Sequence, residues 1–128
     1  MSFEQPGTKL SLEAAADLSA LQYTFVKLDS SGKAAAVSAA TDIPVGVLQN
    51  KPIQGQVAEI MVDGITKLVA GVTMDEGNLV GVGAAGKSTV VVAGTDTTKY
   101  VLGQALEPAA ANEIFAALIN CAAPHRAA

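Results

Sequence analysis

The apolar residues of this chain fall in short runs rich in β-branched side chains, with turn formers between them. The clearest stretch is residues 42–70, DIPVGVLQNKPIQGQVAEIMVDGITKLVA. Its apolar runs at 45–48, 57–62 and 65–70 are divided by Asn50-Lys51-Pro52, Gln54-Gly55 and Asp63-Gly64. Runs bounded in this way predict a β-meander. A two-residue turn at Asp63-Gly64 would set Glu59 against Leu68 and Ile60 against Lys67, mixing charge with core on one face. A three-residue loop, Val62-Asp63-Gly64, sets Glu59 against Lys67 and gathers Ala58, Ile60 and Leu68 on one face. The buried face normally fixes register, and Gly64 suits the left-handed position of such a loop. The second register is therefore expected, with the Cβ atoms of Glu59 and Lys67 roughly 5 Å apart.

Further strands are predicted at 23–28, at 33–39 (weak and Ala-rich), and at 78–82, 88–93, 100–106 and 114–120. Turns fall at Asp29-Ser30-Ser31-Gly32, Asp75-Glu76-Gly77, residues 83–87 and Gly94-Thr95-Asp96. Residues 9–14 alternate as a strand does, although 12–21 also suits a helix because Ala favours one; the strand, followed by a turn near Asp17, is preferred. Residues 107–112 fit one helical turn or a wide loop, since Pro108 stops any helix running on from Leu106. Regularly spaced strands with little helical pattern predict an all-β domain, a small barrel or sandwich-like fold of short antiparallel strands. The expected organisation is an extended N-terminal arm over residues 1–8, the all-β domain over 9–121 and a loose C-terminal tail over 122–128.

Composition narrows the function. The 128 residues suit one domain, and half of them are hydrophobic. Aromatic residues are few, so Val, Leu, Ile and Ala must build the core. Charged residues make up 16%, with a net charge of −4 and no cluster of Lys or Arg. Nucleic acid is not an expected partner, because phosphates demand a basic face. One cysteine, Cys121, allows no internal disulfide and suits a reducing compartment. No signal peptide and no apolar run of membrane-spanning length is visible, so synthesis in a cytoplasm and no membrane partner are expected.

One stretch imitates a nucleotide site. GVGAAGKS at 81–88 satisfies G-x-x-x-x-G-K-[ST], and Gly81, Gly83 and Gly86 satisfy G-x-G-x-x-G. Both motifs hold phosphate at the start of a helix. Here Thr89-Val90-Val91-Val92 follows, which is strand sequence, so a glycine-rich hairpin turn is expected and ATP binding is not. Cys121 and His125 would need to converge to form a catalytic pair, and Cys121 reads instead as a small buried hydrophobe. Asp75 and Glu76 read as a solvated turn, not an acid–base pair. Scattered carboxylates give no metal site. No enzyme, no cofactor and no small-molecule substrate are expected.

From Tyr23 to Asn120 the order of elements resembles the head decoration, or capsid cement, proteins of tailed bacteriophages. The resemblance lies in YTFVKLDSSGK, PVGVL, VAEIMVDGITKLVAG, DEGNLVGV, a Gly-Lys turn, YVLGQALEPA and a final apolar strand. It departs at Glu76-Gly77-Asn78, where that family often has a Gly-Asp turn leading into Val. The resemblance implies a non-enzymatic virion protein on the outer surface of the assembled, expanded head. It implies the major capsid protein and further copies of the chain, as a homotrimer, for partners. Binding only the expanded shell stabilises that state by mass action, and many symmetric copies add avidity. The polar N-terminal arm could add a strand to a sheet edge on the shell, which makes Phe3, Glu4, Gln5 and Pro6 the expected capsid contacts. Competing readings are a tail, fibre, head-tail or other shell component, then a small β-barrel ligand or carrier module, and third an enzyme whose site would have to be assembled between subunits. A carrier module would want a Lys at its central hairpin tip, where this chain has Asp63-Gly64.

Overall fold

The computed structural model describes residues 5–83, 85–122 and 124–127. Among them, all regular structure is strand: β1 (Gln5–Pro6), β2 (Lys9–Glu13), β3 (Phe25–Leu28), β4 (Ala34–Ala36), β5 (Gly46–Leu48), β6 (Val57–Met61), β7 (Asp63–Val69), β8 (Leu79–Val82), β9 (Ser88–Val91), β10 (Tyr100–Val101), β11 (Gly103–Ala105), β12 (Ile114–Asn120) and β13 (His125–Arg126). The order β2-β6-β5-β3-β4 makes one sheet and β1-β7-β12-β11-β8-β9 the other, with β10 and β13 paired as a separate ribbon. The fold is thus all-β and sandwich-like, as the spacing of apolar runs predicts. β2 is a strand rather than a helix, with alternating exposure along Lys9–Glu13. The run at 100–106 is interrupted at Leu102, and the C-terminal tail contributes β13.

The expected hairpin at 62–64 does not form. β6 pairs with β2 and β5, and β7 pairs with β12 and β1, so Glu59 faces Ser11 and Lys67 faces Ala116. The chain runs out of one sheet at Met61 and into the other at Asp63. Asp63 is a strand residue opposite Asn120, and its carboxylate accepts a bond from the Thr8 amide at 2.7 Å. Periodicity gives the face of each strand but not its partner, and here two non-local pairings win over the local turn.

The two sheets repeat one another. In the first half, β2 neighbours β6, then β5, β3 and β4; in the second, β7 neighbours β12, then β11, β8 and β9. A parallel bridge then joins the end strands of each: Ala14 with Ala34, and Ala70 with Ser88. The loops repeat as well. Leu18 donates to the Pro52 carbonyl and Met74 to that of Ala109, at 2.9 and 2.8 Å. The Gln56 side chain accepts from the Ile53 amide, and the Glu113 side chain from that of Ala110. Asp42 accepts from Ser38 N, and Asp96 from Val92 N. Left-handed backbone falls at matching places, Gly32 with Gly86 and Gly55 with Asn112; Tyr23, at φ 64°, matches Gly77. The molecule is therefore two small closed five-stranded units in tandem, with β1 added to the edge of the second.

The units share their interiors unequally. Leu18, Val26, Leu48, Ala58 and Ile60 fill the first. The second holds Leu68, Met74, Val80, Leu102 and Phe115, and the outer face of the first packs into it through Phe25, Val47 and Met61. Backbone bonds stitch this junction: Phe25 N–H to the Gly86 carbonyl at 2.7 Å, and Val69 N–H to that of Tyr23 at 2.8 Å.

Candidate functional site

The glycine-lysine stretch is a hairpin turn between β8 and β9. Gly83 N–H donates to the Lys87 carbonyl and Gly86 N–H to that of Gly83, at 2.8 and 3.0 Å. Gly86 has φ 79°, and a Cβ there would sit 2.7 Å from the Phe25 carbonyl oxygen. Gly86 therefore serves close backbone approach at the junction of the units. Ala84 lies outside the described residues. Lys87 Nζ donates to Asn112 Oδ1 at 2.7 Å, and the motif runs straight into strand β9. The turn Asp29-Ser30-Ser31-Gly32-Lys33 is its counterpart in the first unit, where Asp29 N–H donates to the Lys33 carbonyl.

The other candidate residues take structural or solvent-exposed positions. Cys121 is buried, and burial pushes its thiol up to about 12, far from a thiolate nucleophile. Asp75 and Glu76 are exposed, and the Asp75 amide bonds to Asn78 Oδ1 within the turn. Asp42 is held down to about 2, first by the Ser38 amide, then by Lys27, whose Nζ lies 3.1 Å away. Asp96 is lowered chiefly by the Val92 amide. Both carboxylates brace loops of their own unit. Of the arm residues expected to touch a capsid, Gln5 and Pro6 form β1 against Ile65 and Gly64 of β7; Phe3 and Glu4 lie outside the described residues.

What sequence reading missed is a surface. Phe25, Val47 and Met61 lie in one row across β3, β5 and β6, all fully buried against the second unit. Leu79, Gln104 and Leu118 form the matching row across β8, β11 and β12. In this row Leu118 is 46% exposed, Gln104 is exposed and Leu79 half-buried. A groove of about 250 Å³ opens beside it, lined by Leu79, Val101, Gly103, Gln104 and Leu118. Gly103, at the groove wall, lets β11 lie close to β12, since a Cβ there would collide with the Leu118 carbonyl. A signal was present in the sequence: Gly-Lys at 32–33 and 86–87, and Thr-Asp at 41–42 and 95–96, recur at one spacing. Self-comparison at a fixed period finds such repeats.

No protein-family model matches this chain, and no curated protein matches it. Its fold is similar to a solved structure, the N base of the head fiber gp8.5 of bacteriophage phi29, with a TM-score of 0.67 and 16% identity. The similarity covers 89% of this chain and 94% of that one. It therefore spans both units, and at this identity it speaks for the fold.

Proposed function

We propose that this chain is a structural protein of a bacteriophage head, without enzymatic activity or cofactor. The observation that carries this reading is the whole-length likeness in fold to the base of a phage head fiber. The order of strand and turn motifs from Tyr23 to Asn120, similar to capsid cement proteins, points the same way. In its specific form, the chain decorates the outer surface of the expanded head as a homotrimer and bridges neighbouring major capsid protein subunits. Binding that shell and not its precursor stabilises it by linkage, and repeated copies multiply the effect. The arm from Phe3 to Pro6 supplies contacts to the shell.

A second reading, the base of a head fibre, is favoured by the role of the phi29 protein whose fold this chain shares. Quantitative mass spectrometry of purified particles separates the two from each other and from anything else. A copy number of the same order as the main shell protein supports decoration, and a small number per particle supports a fibre or tail component. Absence from particles overturns both. Removing residues 1–7 should weaken attachment to purified heads; unchanged attachment removes the arm from the proposal.

A further inference from the structure

We propose that the row Leu79–Gln104–Leu118 docks on the Leu10 and Leu12 edge of a second copy of this chain, joining copies head to tail. The inference stands on the tandem fold and is independent of the capsid reading.

The contact already exists once within the chain. The row Phe25–Val47–Met61 of the first unit is buried against the second, where β7 offers Thr66 and Leu68, both fully buried. Register places Thr66 and Leu68 of β7 where the first unit has Leu10 and Leu12: Leu68 faces Phe115 as Leu12 faces Ala58, and Thr66 faces Ala117 as Leu10 faces Ile60. Leu10 and Leu12 remain half-exposed. The counterpart of the buried row, Leu79–Gln104–Leu118, is open on the second unit. Each chain thus contains one complete unit-to-unit contact and presents the two complementary halves of another.

The chemistry of the two ends fits this occupant. Within the chain, Gln49 Nε2 donates to Thr66 Oγ1 at 2.9 Å across the junction. The matching positions are Leu106, which follows β11 as Gln49 follows β5, and Leu10. Both are half-buried. A polar pair inside the chain becomes an apolar pair between copies, whose burial favours association, while the Gln104 amide in the middle of the row already donates to the Gly77 carbonyl at 3.2 Å. The groove beside Gly103 leaves room for a side chain of the incoming edge. The two surfaces differ, so the contact is heterologous, and its repetition gives a closed ring or an open chain according to the rotation.

Sedimentation of the purified full chain tests the proposal. The wild type is expected to sediment as an assembly, and Leu118→Arg as a monomer with unchanged circular dichroism, since Leu118 lies on the surface. A monomeric wild type, or an assembly that survives Leu118→Arg, overturns it. Cysteine pairing supplies the orientation. Leu10→Cys mixed with Leu106→Cys should form a disulfide-linked pair under mild oxidation, while neither variant alone should; the buried Cys121 does not compete. Linkage within either variant alone would mean a like-to-like contact and overturn the head-to-tail arrangement.

Discussion

Ala58 and Phe115 occupy the same place in the two units, opposite Leu12 and Leu68. The neighbouring sites trade bulk in the opposite sense. Where the first unit has Ile60 and Leu48, the second has Ala117 and Ala105. One backbone plan is thus filled by two distributions of volume, as repacked cores allow when total volume and patterning are kept. The outer rows differ more. Phe25, Val47 and Met61 are sealed inside the molecule, whereas Leu79, Gln104 and Leu118 face outward. The interior of a unit has to fill space; its outer face decides whether the unit is a buried partner or an open surface.

The likeness of the two units breaks most severely at Phe115. Phe115→Ala should cost about 3–5 kcal/mol in denaturant unfolding, because Phe115 is fully buried and the small Ala105 and Ala117 share its interior. If its loss cost no more than that of an exposed residue, the large-for-small exchange would be wrong. Gly46 and Gly103 should be next. A Cβ at Gly46 meets the Met61 carbonyl, and one at Gly103 meets that of Leu118. Alanine at either should destabilise by about 1–3 kcal/mol through overpacking, with similar shifts in midpoint if the units are equivalent.

Ser88 gives a smaller effect with the opposite sign. Its hydroxyl is buried without a hydrogen-bond partner among the described residues, and the first unit has Ala34 at the matching bridge. Ser88→Ala should stabilise by about 1 kcal/mol, the lower end of the cost of an unsatisfied buried group, read as a raised midpoint at constant slope. Acid response is the mildest test. Asp42 is lowered from 3.8 to about 2, so its contribution is fully present above the ordinary carboxylate value and is lost as pH falls through about 2. Asp96 shifts in the same direction. Thermal melts from pH 5 downward should show Asp42→Asn losing less stability than the wild type over this window. Parallel curves would mean that the Ser38 amide and Lys27 do not hold that carboxylate.

Much of the chain was legible locally. β-branched runs marked the strands at 57–61, 79–82, 88–91 and 114–120, and Gly-Lys followed by Thr-Val-Val-Val was readable as a hairpin because no helix could follow. The 62–64 junction was misread for a physical reason. Asp63-Gly64 has turn composition, but Asp63 pairs with Asn120, Gly64 with Pro6 and with Ile119, and the strand continues into the second sheet. Leu118 gave no local sign of a surface role, since an apolar residue in an alternating strand reads as core on either face.

Residue type and spacing over two to four positions were enough for the class of fold, for most of the places where the chain turns, and for reading Gly81 to Ser88 as a turn and not a phosphate loop. Which strands pair, that two units repeat in register, and which of two matching rows is covered were settled only in the folded molecule. Those outcomes depend on contacts between residues far apart in the chain, and local periodicity does not encode the partner that a strand will meet.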